Sequence, residues 1–221
     1  MQVSIYLFIK ILVENILTNK YIWLICFCGF FVYVIREAMF VWMPTYLLEV
    51  KGYEDPMLRN LTQSIYEFVG LGGMLLSGFI TDKFFSGKRL PVVFVFIALL
   101  ISAVLSLLFV KGGWYYDFIL IGIIGFFIYG PQVLLSMSSA EFVDKRAAGT
   151  ANGFLGIFSG LGTSCAGAPL GALADAYGWN GFFMVIVASC FIIIALLTPL
   201  MLASMRDITS KSVATASATG G

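Results

Sequence analysis

The feature that most constrains this chain is a series of long apolar runs separated by short polar connections. The runs are about 20 residues or longer, the length that an α-helix needs to cross about 30 Å of hydrocarbon. The chain is 60% hydrophobic and 11% charged, whereas a soluble domain has about 25% charged residues. The sequence therefore predicts an all-α, polytopic membrane protein with six transmembrane helices, at about 21–48, 61–81, 90–110, 117–137, 150–174 and 181–204.

The segments on either side of these runs predict a membrane bundle with two extensions. Residues 1–20 place apolar positions at helical spacing among charged residues, which is typical of an interfacial linker helix and not of a signal peptide. The six-helix bundle is expected to occupy 21–207. Residues 208–221 are mostly Ser, Thr, Ala and Gly, which predicts a disordered tail.

The distribution of Lys and Arg predicts the orientation of the bundle. Nine of these residues fall on one side of the six runs and three on the other. Because cytoplasmic loops carry the excess of positive charge, both termini are expected to be cytoplasmic.

Composition excludes several classes of function. The chain has no histidine, which argues against histidine metal sites and Ser-His-Asp triads. All four cysteines lie inside apolar runs, so neither a metal site nor a cofactor is expected. The net charge of +1 offers no electrostatic basis for binding nucleic acid. Since the ionisable residues within the runs form no nucleophile-base pair, an enzyme is not expected.

Arg36 is the outstanding candidate for a binding residue. It lies near the middle of the first run, where a charge costs about 2.5–3.5 kcal/mol. A guanidinium stays charged and binds phosphate through two hydrogen bonds. Tyr33 lies three residues earlier on the same helix face and adds a phenolic donor. Two explanations stay open: a structural pair with Glu37 or Glu67, or the binding of an anionic ligand.

Polar groups occur at two other places within the runs. Glu67 lies on a polar face of the second run, which must contact protein or water because it cannot face lipid. In the fourth run, Tyr129-Gly130-Pro131-Gln132 is expected to break the helix and to free carbonyl groups that could line a cavity. At both places a structural role and a binding role stay open.

Small residues recur every four positions in the second and fifth runs. Such stripes allow helices in a membrane to pack closely. The residues are Gly73, Ser77 and Thr81, then Gly149 and Gly153, Gly156 and Gly160, and Thr163, Gly167 and Gly171.

The connection after the second run combines glycines with charged residues. A tight basic turn with one acid at a helix end suggests a conformational latch, which forms in one state and breaks in another. The simpler role of its positive charges is to set the topology. The residues of this latch loop are Gly78, Asp82, Lys83, Gly87, Lys88 and Arg89.

This spacing, G-x-x-x-D-K-x-x-x-G-K-R between two spans, resembles a cytoplasmic loop of the major facilitator superfamily, whose twelve helices form two six-helix halves. Further segments, from about residue 10 to 203, resemble the second half of the organophosphate:phosphate antiporter family. That family includes hexose-phosphate and glycerol-phosphate transporters and a related hexose-phosphate sensor. The segments are Tyr33-Val34-Ile35-Arg36, Pro44-Thr45-Tyr46-Leu47, Tyr66-Glu67, Tyr129-Gly130-Pro131, Ala147-Ala148-Gly149-Thr150-Ala151 and Gly178-Trp179.

The resemblance implies roles for four residues. The arginine matching Arg36 is one of two, one in each half, that hold phosphate. The residues matching Tyr33, Tyr129 and Glu67 lie around the central cavity. We therefore expect a substrate-binding site at Arg36, Tyr33, Tyr129 and Glu67.

The chain departs from the family pattern at three positions. Val41 stands where the family has an acid before the tryptophan, and Glu37 is an acid directly after the arginine, where the family has none. Both departures alter the balance of charge around Arg36. Gly160 replaces a tyrosine of the glycerol-phosphate members, which argues against that substrate.

The resemblance implies the carboxyl-terminal half of a secondary transporter that exchanges a hexose phosphate for inorganic phosphate. It also implies the inner (plasma) membrane as the location and a separately encoded amino-terminal half as a partner. Two alternatives stay open. One is a membrane sensor that binds hexose phosphate and signals without transport, and the other is an inactive fragment of a split transporter gene.

Overall fold

The structure is a computed structural model that describes residues 16–110 and 112–219, with side chains described through residue 202. Throughout these residues the chain forms helices and no strand. The predicted all-α class is confirmed. The helices are α1 (Lys20–Glu49), α2 (Pro56–Phe84), α3 (Arg89–Phe109), α4 (Trp114–Glu141), α5 (Ala148–Ala166) and α6 (Ala168–Thr219).

Five helical stretches, rather than the six that the sequence predicted, are long and apolar enough to cross a membrane within the described residues. The last of them, Ala148–Leu202, has 55 residues and contains both α5 and most of α6. As one straight helix it would measure about 80 Å, against about 30 Å of hydrocarbon. The backbone leaves helical geometry at Gly167, and again at Gly178, where φ is 71° and ψ is −179°. The gap predicted between the fifth and sixth runs, residues 175–180, contains this kink, so the sixth run at 181–204 corresponds to the part of α6 that follows Gly178.

Two helix starts follow from local capping. The Asn19 side chain accepts a hydrogen bond from the Tyr21 backbone N–H at 3.0 Å, and the Asp55 carboxylate accepts one from Met57 at 2.8 Å. These bonds satisfy N–H groups that a helix end leaves unpaired. The helices α2 and α4 begin before the apolar runs predicted for them, because hydropathy marks only the lipid-compatible part of a helix.

Close contact between backbones holds α2 against α4. A Cβ atom on Gly73 would lie 2.2 Å from the Phe126 carbonyl oxygen, and one on Gly125 would lie 2.3 Å from that of Tyr66. Side chains larger than hydrogen are therefore excluded at this crossing. Ser77 and Thr81 are also buried, so the small-residue stripe of the second run packs as the sequence predicted.

The glycines of α5 behave differently on its two faces. Gly162 approaches α1 so closely that a Cβ would lie 2.4 Å from the Phe30 carbonyl oxygen. At Gly171, beyond α5, a Cβ would lie 2.2 Å from the Trp42 ring, so this end of the predicted stripe is packed. In contrast, a Cβ on any of the four stripe glycines within α5 would meet nothing within 4 Å. These four glycines do not pack against the described residues and form an open face, called here the α5 open face: Gly149, Gly153, Gly156 and Gly160.

Two predictions about the flanking segments stay predictions. The interfacial helix proposed for 1–20 falls mostly on residues 1–15, which lie outside the described residues. The tail proposed for 208–221 falls on the part of α6 whose side chains are not described.

Candidate functional site

The four predicted site residues lie together where α1, α2 and α4 meet. Arg36 and Tyr33 are contributed by α1, Glu67 by α2 and Tyr129 by α4. The guanidinium carbon of Arg36 lies 4.7 Å from the centre of the Tyr129 ring and 5.8 Å from that of Tyr33. Contact with two aromatic faces favours a cation at this position.

The hydrogen bonds of Arg36 show which acid neutralises it. Its Nη1 donates to the Glu37 carboxylate at 2.7 Å, whereas its Nη2 lies 4.0 Å from the nearer oxygen of Glu67. The pairing that the sequence left open therefore involves Glu37 first. Adjacent residues on a helix do not ordinarily face each other, but these two side chains are long enough to meet.

Tyr129 connects the arginine to the second acid. Its hydroxyl accepts a hydrogen bond from Arg36 Nη2 at 3.0 Å and donates one to the Glu67 carboxylate. Gly70 leaves room for the ring, because a Cβ there would lie 2.6 Å from the Tyr129 Cδ2 atom. The phenol thus bridges the guanidinium and an acid that are otherwise too far apart for a hydrogen bond.

One donor of Arg36 is left unused. The Nε atom is buried and has no hydrogen-bond partner among the described residues. A buried N–H without an acceptor costs free energy. The whole side chain is 21% exposed, and those of Glu37 and Glu67 are 19% and 36% exposed. An anion that reached this partly open site could accept from Nε and stabilise it.

The helix break expected in the fourth run does not occur. Helix α4 continues from Trp114 to Glu141 with Pro131 inside it. Proline cannot donate to the carbonyl four residues earlier, yet the surrounding helices hold this segment in helical form. Gly130 serves close packing instead, since a Cβ there would lie 2.5 Å from the Phe96 ring.

A small polar cavity lies next to this cluster, on the side of Tyr33. Its volume is about 120 Å³. It is formed by α1, α4 and α5 and is lined by Gly29, Val32, Tyr33, Gln132, Leu135, Ser136, Asn152, Leu155, Gly156 and Ser159. We call it the Gln132 cavity.

The latch loop makes an ion pair that the sequence did not predict. The guanidinium of Arg89 contacts the carboxylate of Glu141 at the end of α4 and donates to the Met137 carbonyl at 3.2 Å. Lys83 lies 5.2 Å from the centre of the Phe79 ring. Within the described part of the chain, the ion pair of this loop involves Glu141 and not Asp82. A latch role for the loop stays a prediction.

At the opposite end of the bundle, a buried carboxylate is held by two donors from the α1–α2 connection. Asp117 is 1% exposed and lies 3.0 Å from the Lys51 ammonium. The Tyr53 hydroxyl donates to its other oxygen at 2.7 Å. Burial, followed by this hydrogen bond, raises the pKa of Tyr53, which lies outside the helices. Lys51 also donates to the Leu107 carbonyl at 3.2 Å, at the end of α3.

Sequence reasoning did not identify this second cluster. Lys51 and Asp117 are 66 positions apart, and each is a lone charge at the edge of an apolar run. Both edges fall on the same predicted side of the membrane. This was the one feature of the sequence that could have indicated that the two charges pair.

The chain matches the family model described as Major Facilitator Superfamily over residues 4–167. It is 40% identical to a probable hexose phosphate transport protein of Chlamydia trachomatis, over 92% of this chain and 45% of the relative. It is 38% identical to the glycerol-3-phosphate transporter of Bacillus subtilis, over 85% of this chain and 43% of the relative. It is 40% identical to the membrane sensor protein UhpC of Escherichia coli, over 87% of this chain and 44% of the relative. The chain thus spans a little under half the length of the curated relatives it matches.

Proposed function

This chain belongs to the major facilitator superfamily, and on that premise we propose that it is the carboxyl-terminal half of a secondary transporter that exchanges a phosphorylated sugar for inorganic phosphate. The observation that carries the proposal is Arg36. It lies in the middle of a membrane helix, between two tyrosine rings, with a buried N–H that has no acceptor among the described residues. A phosphate group offers that acceptor and a second one for the same guanidinium.

The proposed mechanism is binding and not bond making. In the structure, Nη1 of Arg36 donates to Glu37 and Nη2 donates to Tyr129. Phosphate competes with the Glu37 carboxylate for the guanidinium and adds a bond to Nε. The bound phosphate then neutralises Arg36 in place of an internal acid, which lowers the barrier for one half of the transporter to move against the other. Exchange of one phosphorylated solute for another follows without ATP.

The open surfaces of the bundle support a second half as partner. Arg36 and Glu67 are partly exposed, and facing lipid would cost several kcal/mol. The α5 open face presents backbone with no side chain to cover it, which suits close approach by another helix. A separately encoded amino-terminal half, contributing its own phosphate-binding arginine, would cover both.

The inner membrane with cytoplasmic termini is the proposed location. The start of α1 and the α4–α5 connection lie at one end of the bundle, because the Asn19 side-chain amide donates to the Phe142 carbonyl at 2.8 Å. The positive residues Lys145 and Arg146 lie three and four positions after Phe142. The same end is therefore the basic one that the positive-inside rule assigns to the cytoplasm.

A membrane sensor is the second candidate. The chain is 40% identical both to the sensor of Escherichia coli and to the probable transporter of Chlamydia trachomatis. A sensor would bind the phosphorylated sugar at the same site but would not exchange it. Flux therefore separates the two functions, whereas binding does not.

Binding at Arg36 is tested by a conservative substitution. The chain is produced together with the part of the Chlamydia trachomatis relative that it does not match, and displacement of labelled inorganic phosphate from membranes is measured. Arg36→Lys keeps the charge but loses the planar pair of donors, so phosphate affinity should fall at least about tenfold, roughly 1.4 kcal/mol.

The matched control is Arg59→Lys, the same change at an arginine near the start of α2 and outside the cluster. It should leave phosphate affinity unchanged. An Arg36→Lys protein that is present at normal levels and binds phosphate as well as the unsubstituted protein would make Arg36 merely structural.

A further inference from the structure

The Gln132 cavity is unusually polar for the interior of a membrane bundle. Hydroxyl or amide groups line it from three helices: Tyr33 on α1, Gln132 and Ser136 on α4, and Asn152 and Ser159 on α5. Its volume of about 120 Å³ is far above the roughly 10–15 Å³ that a single water requires. One of these groups, on Gln132, contains a buried polar atom without a partner among the described residues, and such an atom is best satisfied by a polar occupant.

Gln132 provides an unused acceptor. Its Nε2 donates to the Tyr33 hydroxyl at 3.0 Å. Its Oε1 is buried and has no partner among the residues that the structure describes. A carbonyl oxygen can be satisfied only by a donor.

Asn152 provides the complementary donor. Its Oδ1 accepts hydrogen bonds from Ser136 at 3.0 Å and from Ser139 at 2.8 Å. Both lone pairs of this oxygen are therefore used, and the amide N–H groups remain to donate. The cavity thus combines a free acceptor on α4 with a donor on α5.

A hydroxyl group matches this combination, because it donates one hydrogen bond and accepts others. We propose that the Gln132 cavity is a subsite for the hydroxyl groups of the sugar, in which a hydroxyl donates to Gln132 Oε1 and accepts from the Asn152 amide. This inference rests on the proposed function, since it assigns the phosphate of the same ligand to Arg36.

Tyr33 connects the two parts of the site. Its ring lies 5.8 Å from the Arg36 guanidinium carbon, and its hydroxyl accepts the hydrogen bond from Gln132. A ligand with phosphate at Arg36 would therefore extend past Tyr33 into the cavity. The apolar lining residues Val32 and Leu135 provide surface for the carbon faces of a sugar.

The test compares two ligands that share a phosphate but differ in hydroxyl groups. Membranes containing the full chain, assembled with the amino-terminal part used above, are loaded with labelled inorganic phosphate. Displacement is then measured with unlabelled inorganic phosphate and with glucose 6-phosphate. The ratio of the two affinities reports what the sugar contributes, and protein levels or membrane quality cancel from it.

Gln132→Leu should weaken glucose 6-phosphate about three- to tenfold, as expected for the loss of one hydrogen bond, and leave inorganic phosphate unchanged. Asn152→Leu provides a second variant, because it removes the amide that would donate to the sugar hydroxyl. It should reduce the same ratio. Gln63→Leu is the matched control, since this glutamine donates to the Phe40 carbonyl and does not line the cavity.

The subsite is refuted if Gln132→Leu and Asn152→Leu leave the affinity ratio unchanged, or if they weaken both ligands equally. In those cases phosphate binding at Arg36 stands without the subsite. If the unsubstituted protein binds neither ligand, the proposed function fails and the subsite fails with it.

Discussion

Removing the amine that pairs with Asp117 should destabilise the bundle far more than removing a comparable surface charge. The Asp117 side chain is 1% exposed and lies 3.0 Å from Lys51, itself only 11% exposed. Lys51→Met keeps the apolar stem but leaves a buried carboxylate without its counter-charge.

The expected magnitude follows from the contacts that remain. Breaking a buried ion pair costs about 3–5 kcal/mol. The Tyr53 hydroxyl still donates to Asp117, and a hydrogen bond to a charged group contributes about 1.5–3 kcal/mol. We therefore expect Lys51→Met to lower the free energy of unfolding by about 3 kcal/mol, the low end of that range.

Two companion variants make the reasoning refutable. Arg89→Met removes a cation from the pair with Glu141, whose side chains are 26% and 50% exposed, and should cost no more than about 1 kcal/mol. The double variant Lys51→Met with Asp117→Leu removes both buried charges and should recover most of the loss. The free energy of unfolding is measured on the purified chain in mixed micelles with increasing denaturing detergent. If Lys51→Met lowers the free energy of unfolding by no more than Arg89→Met does, Lys51 does not stabilise the buried Asp117 carboxylate.

Three other changes have definite expected results. Glu37→Gln removes the negative charge that competes with phosphate for Arg36, although its amide oxygen can still accept from Nη1. Inorganic phosphate should therefore displace its label at a concentration about three- to tenfold lower; unchanged affinity would mean that Glu37 does not compete. Gly73→Ala should lower the free energy of unfolding by about 1–3 kcal/mol in the same assay, because its Cβ would lie 2.2 Å from a backbone oxygen of α4. Gly153→Ala has open space around it and should leave the free energy of unfolding unchanged. Equal effects of the two substitutions would contradict the close contact between α2 and α4. Cysteines introduced at Ser86 and Gly113, in connections at opposite ends of the bundle, should label from opposite sides with Ser86 cytoplasmic, and labelling from one side would contradict the topology.

The position of the membrane helices could be predicted because lipid restricts what sequence can cross it. Apolar runs marked the first four helices, since each is bounded by charged or glycine-containing connections. The predicted gap at 175–180 also contains the Gly178 kink, which divides the last 55-residue stretch. The break at Gly167 was not predicted, because it is a backbone property inside an apolar run that hydropathy does not register.

The sequence predicted which residues form the candidate site, but not which of them pair with each other. Arg36 stood out because a lone charge in a membrane helix must be compensated. Which acid compensates it depends on rotamers and on the bridging hydroxyl of Tyr129. The partners of Lys51 and Arg89 are 66 and 52 residues away, and such long-range pairs follow from tertiary packing and not from local spacing.

The proposal that this chain is half of a phosphate exchanger is tested most directly by flux. Liposomes containing the full chain assembled with an amino-terminal half are filled with labelled inorganic phosphate, and glucose 6-phosphate is added outside. Label should leave the liposomes only when the sugar phosphate is present. With Arg36→Lys, label should leave at least about tenfold more slowly. Liposomes that contain this chain without the other half should release no label above background. Exchange by the chain without any partner, or binding of both ligands by the assembled protein with no exchange at all, would contradict it.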